Sequence, residues 1–116
     1  MNKKSTRYFS SRQEKTVAKH IGGSVVPNSG AIRFGAGDVQ TDDWLIECKT
    51  KTTPSKSMTI QKEWLEKNEE EAFSLNKPYS ALCFNFGDLH NAKNYYILSE
   101  NDFKYFLKLL KQEENK

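Results

Sequence analysis

Asp38, Glu47 and Lys49 are the residues of this 116-residue chain whose types and spacing could do chemistry: Gly37-Asp38, eight intervening residues, then Glu47-Cys48-Lys49. Residues two apart on a β-strand face the same way. A strand over Trp44-Leu45-Ile46-Glu47-Cys48-Lys49 therefore projects Glu47 and Lys49 together and turns Ile46 and Cys48 to the core. A neighbouring strand would bring Asp38 beside them. Two like charges about 4 Å apart repel by roughly 4 kcal/mol at an effective dielectric of about 20, so such a cluster is costly unless a cation sits between them. Carboxylate oxygens plus a backbone carbonyl, here that of Cys48, suit Mg²⁺, with Mn²⁺ as a substitute. A divalent ion there can activate water against a phosphodiester, while Lys49 orients the water or offsets charge growing on the phosphate. The competing structural reading of Glu47 and Lys49 is a surface ion pair on an exposed sheet face, which contributes little stability.

The elements that must position these groups can be read from periodicity and punctuation. A first helix is expected over Ser10–His20, capped by Ser10 or Ser11, with Glu14 able to close a capping box, and ended by Gly22-Gly23. Ser24–Val26 reads as a short strand before the turn Pro27-Asn28-Ser29-Gly30 and a glycine-rich connection through Phe34–Gly37. Asp38–Gln40 and Trp44–Lys49 form a hairpin turned by Thr41-Asp42-Asp43. A polar loop over Thr50–Met58 follows, then a helix capped by Thr59 and running to about Leu75, with Ile60, Trp64, Leu65, Ala72 and Phe73 on its apolar face and Glu69–Glu71 on its wet side. Tyr79–Phe86 and Tyr95–Leu98 read as two more strands joined through Gly87-Asp88. Ser99 and Asp102 frame a last helix whose stripe Phe103, Phe106, Leu107 and Leu110 is expected to be core, with room to continue into an interface. The order helix, three strands, helix, two strands, helix implies an α/β fold with a mixed five-stranded sheet flanked by helices.

Composition sets the frame. The length suits one domain over 1–116, with 1–8 and 112–116 expected to be flexible. Hydrophobic residues are 36% and charged residues 28% of the chain, and no apolar run approaches the roughly 20 residues of a membrane span. The N-terminus has no apolar core resembling a secretion signal, so an intracellular, cytoplasmic location is expected. Cys48 and Cys83 lie in separate strand-like segments without metal-ligand spacing, and both are expected as buried thiols. The net charge is +3, but residues 1–62 carry eleven Lys/Arg against five Asp/Glu and residues 63–116 seven against ten. The basic half holds the candidate site, which suits a phosphate-backbone ligand. Lys3, Lys4 and Arg7 add to that field, while His20 and His90 lack partners at ligand or triad spacing and read as surface or loop residues.

Gly-Asp-Val, a turn, then Trp-Leu-Ile-Glu-Cys-Lys resembles the core motif of the PD-(D/E)XK nuclease superfamily, with Gly37 in place of the proline. The resemblance matches Asp38, Glu47 and Lys49 individually and implies a restriction-endonuclease-like fold. It implies a supporting metal role for Glu14 on the first helix, although a capping role after Ser11 would account for Glu14 equally well. The turn Asn28-Ser29-Gly30 resembles Holliday junction resolvases of archaeal and phage type, which implies that Ser29 lies near the scissile phosphate; a plain turn residue is the alternative. Gln61 and Lys62 fall where related nucleases place polar groups facing the site. Arg12, Arg33, Lys51 and Lys56 are candidates for phosphate contacts, and Trp64, Tyr95 and Tyr96 are expected in the core.

The expected activity is a Mg²⁺-dependent endodeoxyribonuclease, a Holliday junction resolvase making paired nicks in branched DNA as a homodimer. The compact size would suit a phage or mobile element. The alternatives are a general or nicking DNA nuclease of a repair or restriction system, and a catalytically silent nucleic-acid-binding protein.

Overall fold

The computed structural model describes residues 6–27, 38–87 and 93–116. The chain runs α1 (Thr6–Ile21), β1 (Ser24–Val25), β2 (Val39–Gln40), β3 (Trp44–Lys49), α2 (Lys62–Ser74), β4 (Tyr79–Phe84), β5 (Tyr95–Ile97) and α3 (Glu100–Glu114). The order is the one expected from the sequence, and the class is α/β: a five-stranded mixed sheet flanked by helices.

The sheet is laid down in chain order, β1-β2-β3-β4-β5. Neighbours pair antiparallel except β3 and β4, which run parallel with Trp44 opposite Tyr79 and Lys49 opposite Phe84. Parallel neighbours need a crossover, and α2 supplies it. Strand alternation then divides the sheet. One face gathers Val39, Ile46, Ala81 and Cys83 against Val17 and Ala18 of α1 as the buried core. The other carries the fully buried Leu45 and Leu82 toward α2.

α1 begins at Thr6, ahead of the expected Ser10, so Ser10 and Ser11 lie inside the helix and no capping box forms at Glu14. A serine cap contributes about 1 kcal/mol, whereas burying a phenylalanine contributes about 2 kcal/mol. Phe9 is buried on the inner face in line with Gln13 and Val17, which carries the helix back past the serines. At the other end Gly22 takes φ 71° and the Gly23 N–H donates to Ala18 O at 2.8 Å, a Schellman-type closure. A Cβ on Gly23 would collide with the Gln40 carbonyl of β2, so the glycine permits the close approach of helix end and strand.

Other expectations are corrected. The N-cap of α2 is Gln61, with no side-chain cap bond, not Thr59; Ser55 N–H donates to Phe86 O at 2.8 Å, tying the preceding loop to the end of β4. Phe73 points outward at 85% exposure. The Phe103, Phe106, Leu107 and Leu110 stripe is not core, for α3 has no buried residue. Tyr95 and Tyr96 are likewise exposed, on the last strand of the sheet. Of the ends expected to be loose, 6–8 and 112–114 are helical. Ser99 does cap α3, accepting from Asp102 N–H at 3.1 Å. No helix among the described residues is long and apolar enough to cross a membrane.

Asn68 fastens the crossover. It is buried in the middle of α2, and its Nδ2 donates to Leu45 O of β3 and Ala81 O of β4, both at 3.2 Å. Each carbonyl has a second lone pair to offer, so one amide stitches the parallel pair from above. Asn68→Ala strips both bonds and is expected to cost about 2–3 kcal/mol in urea unfolding with an unchanged m-value.

Candidate active site

The sheet assembles the expected constellation at the C-terminal end of β3. Asp38 precedes β2, and its Oδ2 accepts a hydrogen bond from Cys48 N–H at 2.7 Å. The reciprocal strand contact, Asp38 N–H to Ile46 O at 2.8 Å, fixes the register. In a strand the N–H and C=O of one residue point to the same side, so the Cys48 carbonyl also faces the Asp38 edge. Glu47 and Lys49 project from the pleat opposite the Cys48 side chain, the face Asp38 shares by register, with Lys49 Nζ 3.5 Å from Glu47 Oε1. Both side chains are about three-quarters or less covered, at 25% and 30% exposure respectively.

Burial raises the proton affinity of both carboxylates, and the Asp38 charge raises that of Glu47 further. Glu47 is pushed up to about 7, first by burial and then by the Asp38 charge, with Lys49 pulling the other way and Glu71 of α2 adding to the rise. Asp38 is also raised by burial, against the Cys48 N–H and the Lys49 charge. One lysine does not offset two half-buried carboxylates. A hard divalent cation is the complement such an oxygen pair lacks, and the residues present fit one. Among the described residues no group of three or more His, Cys, Asp or Glu side chains gathers as a metal site, so the protein's share would be Asp38, Glu47 and the Cys48 carbonyl.

Glu14 does not join Asp38 and Glu47 in such a group. It is half-buried on α1, and its charge reaches the Cys48 thiol. The two thiols sit side by side in the β3–β4 register, both free. Cys83 is fully buried but Cys48 only in part. Their contact raises Cys48 and lowers Cys83. Ser29 and Arg33 lie outside the described residues, as do His90, Lys3 and Lys4. Arg12 is exposed on α1, and His20 is exposed near its end. Lys51 and Lys56 lie in the loop leaving β3, and Gln61 and Lys62 open α2, so these four follow Lys49 along one stretch of chain.

Two residues matter more here than their sequence context indicated. Gln13 is buried beneath the end of β3, and its Nε2 donates to Lys49 O at 2.8 Å. From the other face Trp64 of α2 lies under the Lys49 ammonium, 4.3 Å from ring centroid to Nζ. Lys49 is thus held by its backbone from α1 and by its charge from α2. The signal for Gln13 was a polar residue inside the Phe9–Gln13–Val17 stripe. Trp64 carried no signal beyond an apolar face. Asn85, buried where β4 ends, completes the support: its Oδ1 accepts from Thr50 Oγ1 at 2.6 Å and from Gly87 N–H at 2.9 Å.

The raised affinity of Glu47 makes the fold pH-dependent. Because the folded chain holds this proton more tightly than the unfolded one, the stabilising contribution is complete below the ordinary value of 4.5 and is lost as pH rises through about 7. Glu47→Gln is expected to stabilise the cation-free protein at pH 8 by up to about 2–3 kcal/mol and to flatten its stability between pH 5 and 8. Urea unfolding across that range checks it. Mg²⁺ or Mn²⁺ should stabilise the parent at pH 8 more than the variant.

Comparison with family models, with curated proteins and with solved structures returns no match to this chain.

Proposed function

We propose that this chain is a divalent-cation-dependent endodeoxyribonuclease of PD-(D/E)XK type with a restriction-endonuclease-like fold, acting as a homodimer on four-way DNA junctions. The observation that carries the nuclease reading is the convergence of Asp38 and Glu47 beside Lys49, with Cys48 N–H holding Asp38 in place. The strand order and the α2 crossover are compatible with the fold that the sequence resemblance implies. The junction as substrate rests on that resemblance.

Bound at Asp38, Glu47 and the Cys48 carbonyl, Mg²⁺ or Mn²⁺ would supply positive charge at the scissile phosphate and acidify water. The chain's own residues do the rest. Glu47 lies on β3 and Asp38 stands immediately before β2 with its N–H bonded to Ile46 O, so their separation follows the sheet register. Lys49 brings an ammonium that offsets negative charge growing on the phosphate as the water oxygen bonds to phosphorus and the bridging P–O bond breaks. Lys51, Lys56 and Lys62 offer phosphate contacts along the same stretch, with Arg12 on the exposed side of α1. Neutralising several phosphates makes affinity fall steeply with salt.

Synthetic four-way junctions and linear duplexes of matched sequence, incubated with Mg²⁺, Mn²⁺ or chelator, test the reading. The expected outcome is paired nicks on the junction alone. Asp38→Asn and Lys49→Ala should each lower cleavage by about 10²-fold or more while leaving junction binding within a few-fold of the parent. Equal cutting of both substrates would make it a general nuclease. Salt-sensitive binding without any metal-dependent product would make it a binding protein.

The Trp64 contact gives a separate expectation. Trp64→Leu removes the ring from beneath Lys49 and should lower the single-turnover rate by roughly tenfold with little change in binding, whereas Trp64→Phe keeps most of the rate. Equal losses in both variants, accompanied by a fall in stability, would reduce Trp64 to a packing residue.

A further inference from the structure

The apolar stripe of α3 and a trough on the sheet form one unpaired surface. α1 lies over β1, β2 and β3, and α2 lies over β3 and β4. No described helix packs broadly over β5. On the α1 side this leaves an apolar trough of about 360 Å³ lined by Trp44, Ile46, Ala81, Tyr96 and Leu98. α3 touches the body through stacked rings, Phe106 on Trp44 at 5.5 Å and Tyr105 on Tyr79 at 6.0 Å. Beside Phe106, the helical spacing brings Phe103, Leu107 and Leu110 into one stripe, and these three are 50–61% exposed. Trp44 belongs to both surfaces, so stripe and trough are continuous.

We infer that this surface is covered by a second copy of the chain, the α3 stripe of each copy lying over the trough of the other about a two-fold axis. The inference rests on the homodimer in the proposed function and names the surface that forms it. Two observations select a second copy. The first is area. Three large side chains of the stripe (Phe103, Leu107 and Leu110) stand 50–61% exposed on one face of α3. Together they offer roughly 300 Å² of apolar surface, and the trough with its charged rim extends the contact toward the ~800 Å² per partner of a standard interface. A reciprocal contact uses both halves at once, as two-fold interfaces do.

The second is charge. Lys104, Lys108 and Lys111 run along one flank of the α3 stripe, all exposed. At the rim of the trough, beside Thr41 and Trp44, the β2–β3 turn exposes Asp42 and Asp43. Laying the stripe of one copy in the trough of the other brings the lysine flank to the acidic turn, and the symmetry repeats the match.

Sedimentation and light scattering on the whole chain test the inference. The parent should be a dimer at micromolar concentration, and Leu107→Asp, at a position already open to solvent, should raise the dissociation constant by about 30-fold or more without loss of helicity. Asp42→Lys with Asp43→Lys in one chain, and Lys108→Glu with Lys111→Glu in another, should each weaken self-association. Mixed, the two should form a heterodimer in which both charge contacts are restored. A monomeric parent, or a dimer indifferent to Leu107→Asp and to both charge swaps, overturns the interface. Metal-dependent cleavage measured alongside separates the two readings: a monomer that still cuts DNA sinks the interface and the homodimer but leaves the nuclease, and a dimer of this geometry that never cuts sinks only the nuclease.

Discussion

The period of two along β3 is the constraint on which this molecule turns. Six residues must satisfy two helices and two neighbouring strands, and each side chain has one face to choose. Trp44, Ile46 and Cys48 point to the α1 side, where Ile46 sits in the core. Leu45 goes to α2 and is fully buried. Glu47 and Lys49 share that second face, beyond the reach of the apolar packing. A slip of one residue would put both charges into the core and Ile46 onto the α2 side. The buried half of the strand therefore fixes where the charged half stands. Asp38, bonded to Cys48 N–H across the hairpin, is carried to the same place by the same register.

That placement has an energetic consequence. The end of β3 is covered by α2 from one side and by α1 from the other, so its carboxylates lose solvent without gaining a full complement of positive charge. Lys49 is near, yet its own position is divided between Glu47 and the face of Trp64. An isolated surface pair would leave both carboxyls near their ordinary values. The rise of Glu47 to about 7 reflects its burial and the neighbouring Asp38 charge, and a buried structural ion-pair network would produce the same direction.

Much of this was legible in the sequence, and the failures have physical causes. β3 could be bounded at Trp44 and Lys49 because alternation, length and the flanking turn agree. The element order followed from the same signals. The start of α1 was misplaced because a serine cap is a local signal, while the burial of Phe9 that overrides it is tertiary. Gln13 and Asn68 were missed for a related reason: a polar residue within an apolar stripe looks like an interruption until the carbonyls it serves are in place. The stripe of α3 was read correctly as apolar and wrongly as core, since periodicity reports that a face wants cover but not which surface provides it.

The support around Lys49 shows how a small scaffold can hold a long charged side chain in place. A lysine side chain has four rotatable bonds and loses about 2 kcal/mol of rotamer entropy when fixed, and a 116-residue chain has few layers with which to fix it. Here the task is split. Gln13 acts on the carbonyl of Lys49 and leaves the side chain alone, while Trp64 acts on the ammonium and leaves the backbone alone. Neither contact takes a donor hydrogen of the ammonium, because a ring face attracts cationic charge without accepting a directed N–H bond. Beside the Glu47 carboxylate, the ammonium keeps donor hydrogens that the ring does not take. Replacing the ring by a second carboxylate would hold Lys49 more tightly but engage further hydrogens of the ammonium. An aromatic face on the first turn of α2 thus positions the ammonium and leaves its directed hydrogen bonds to other partners.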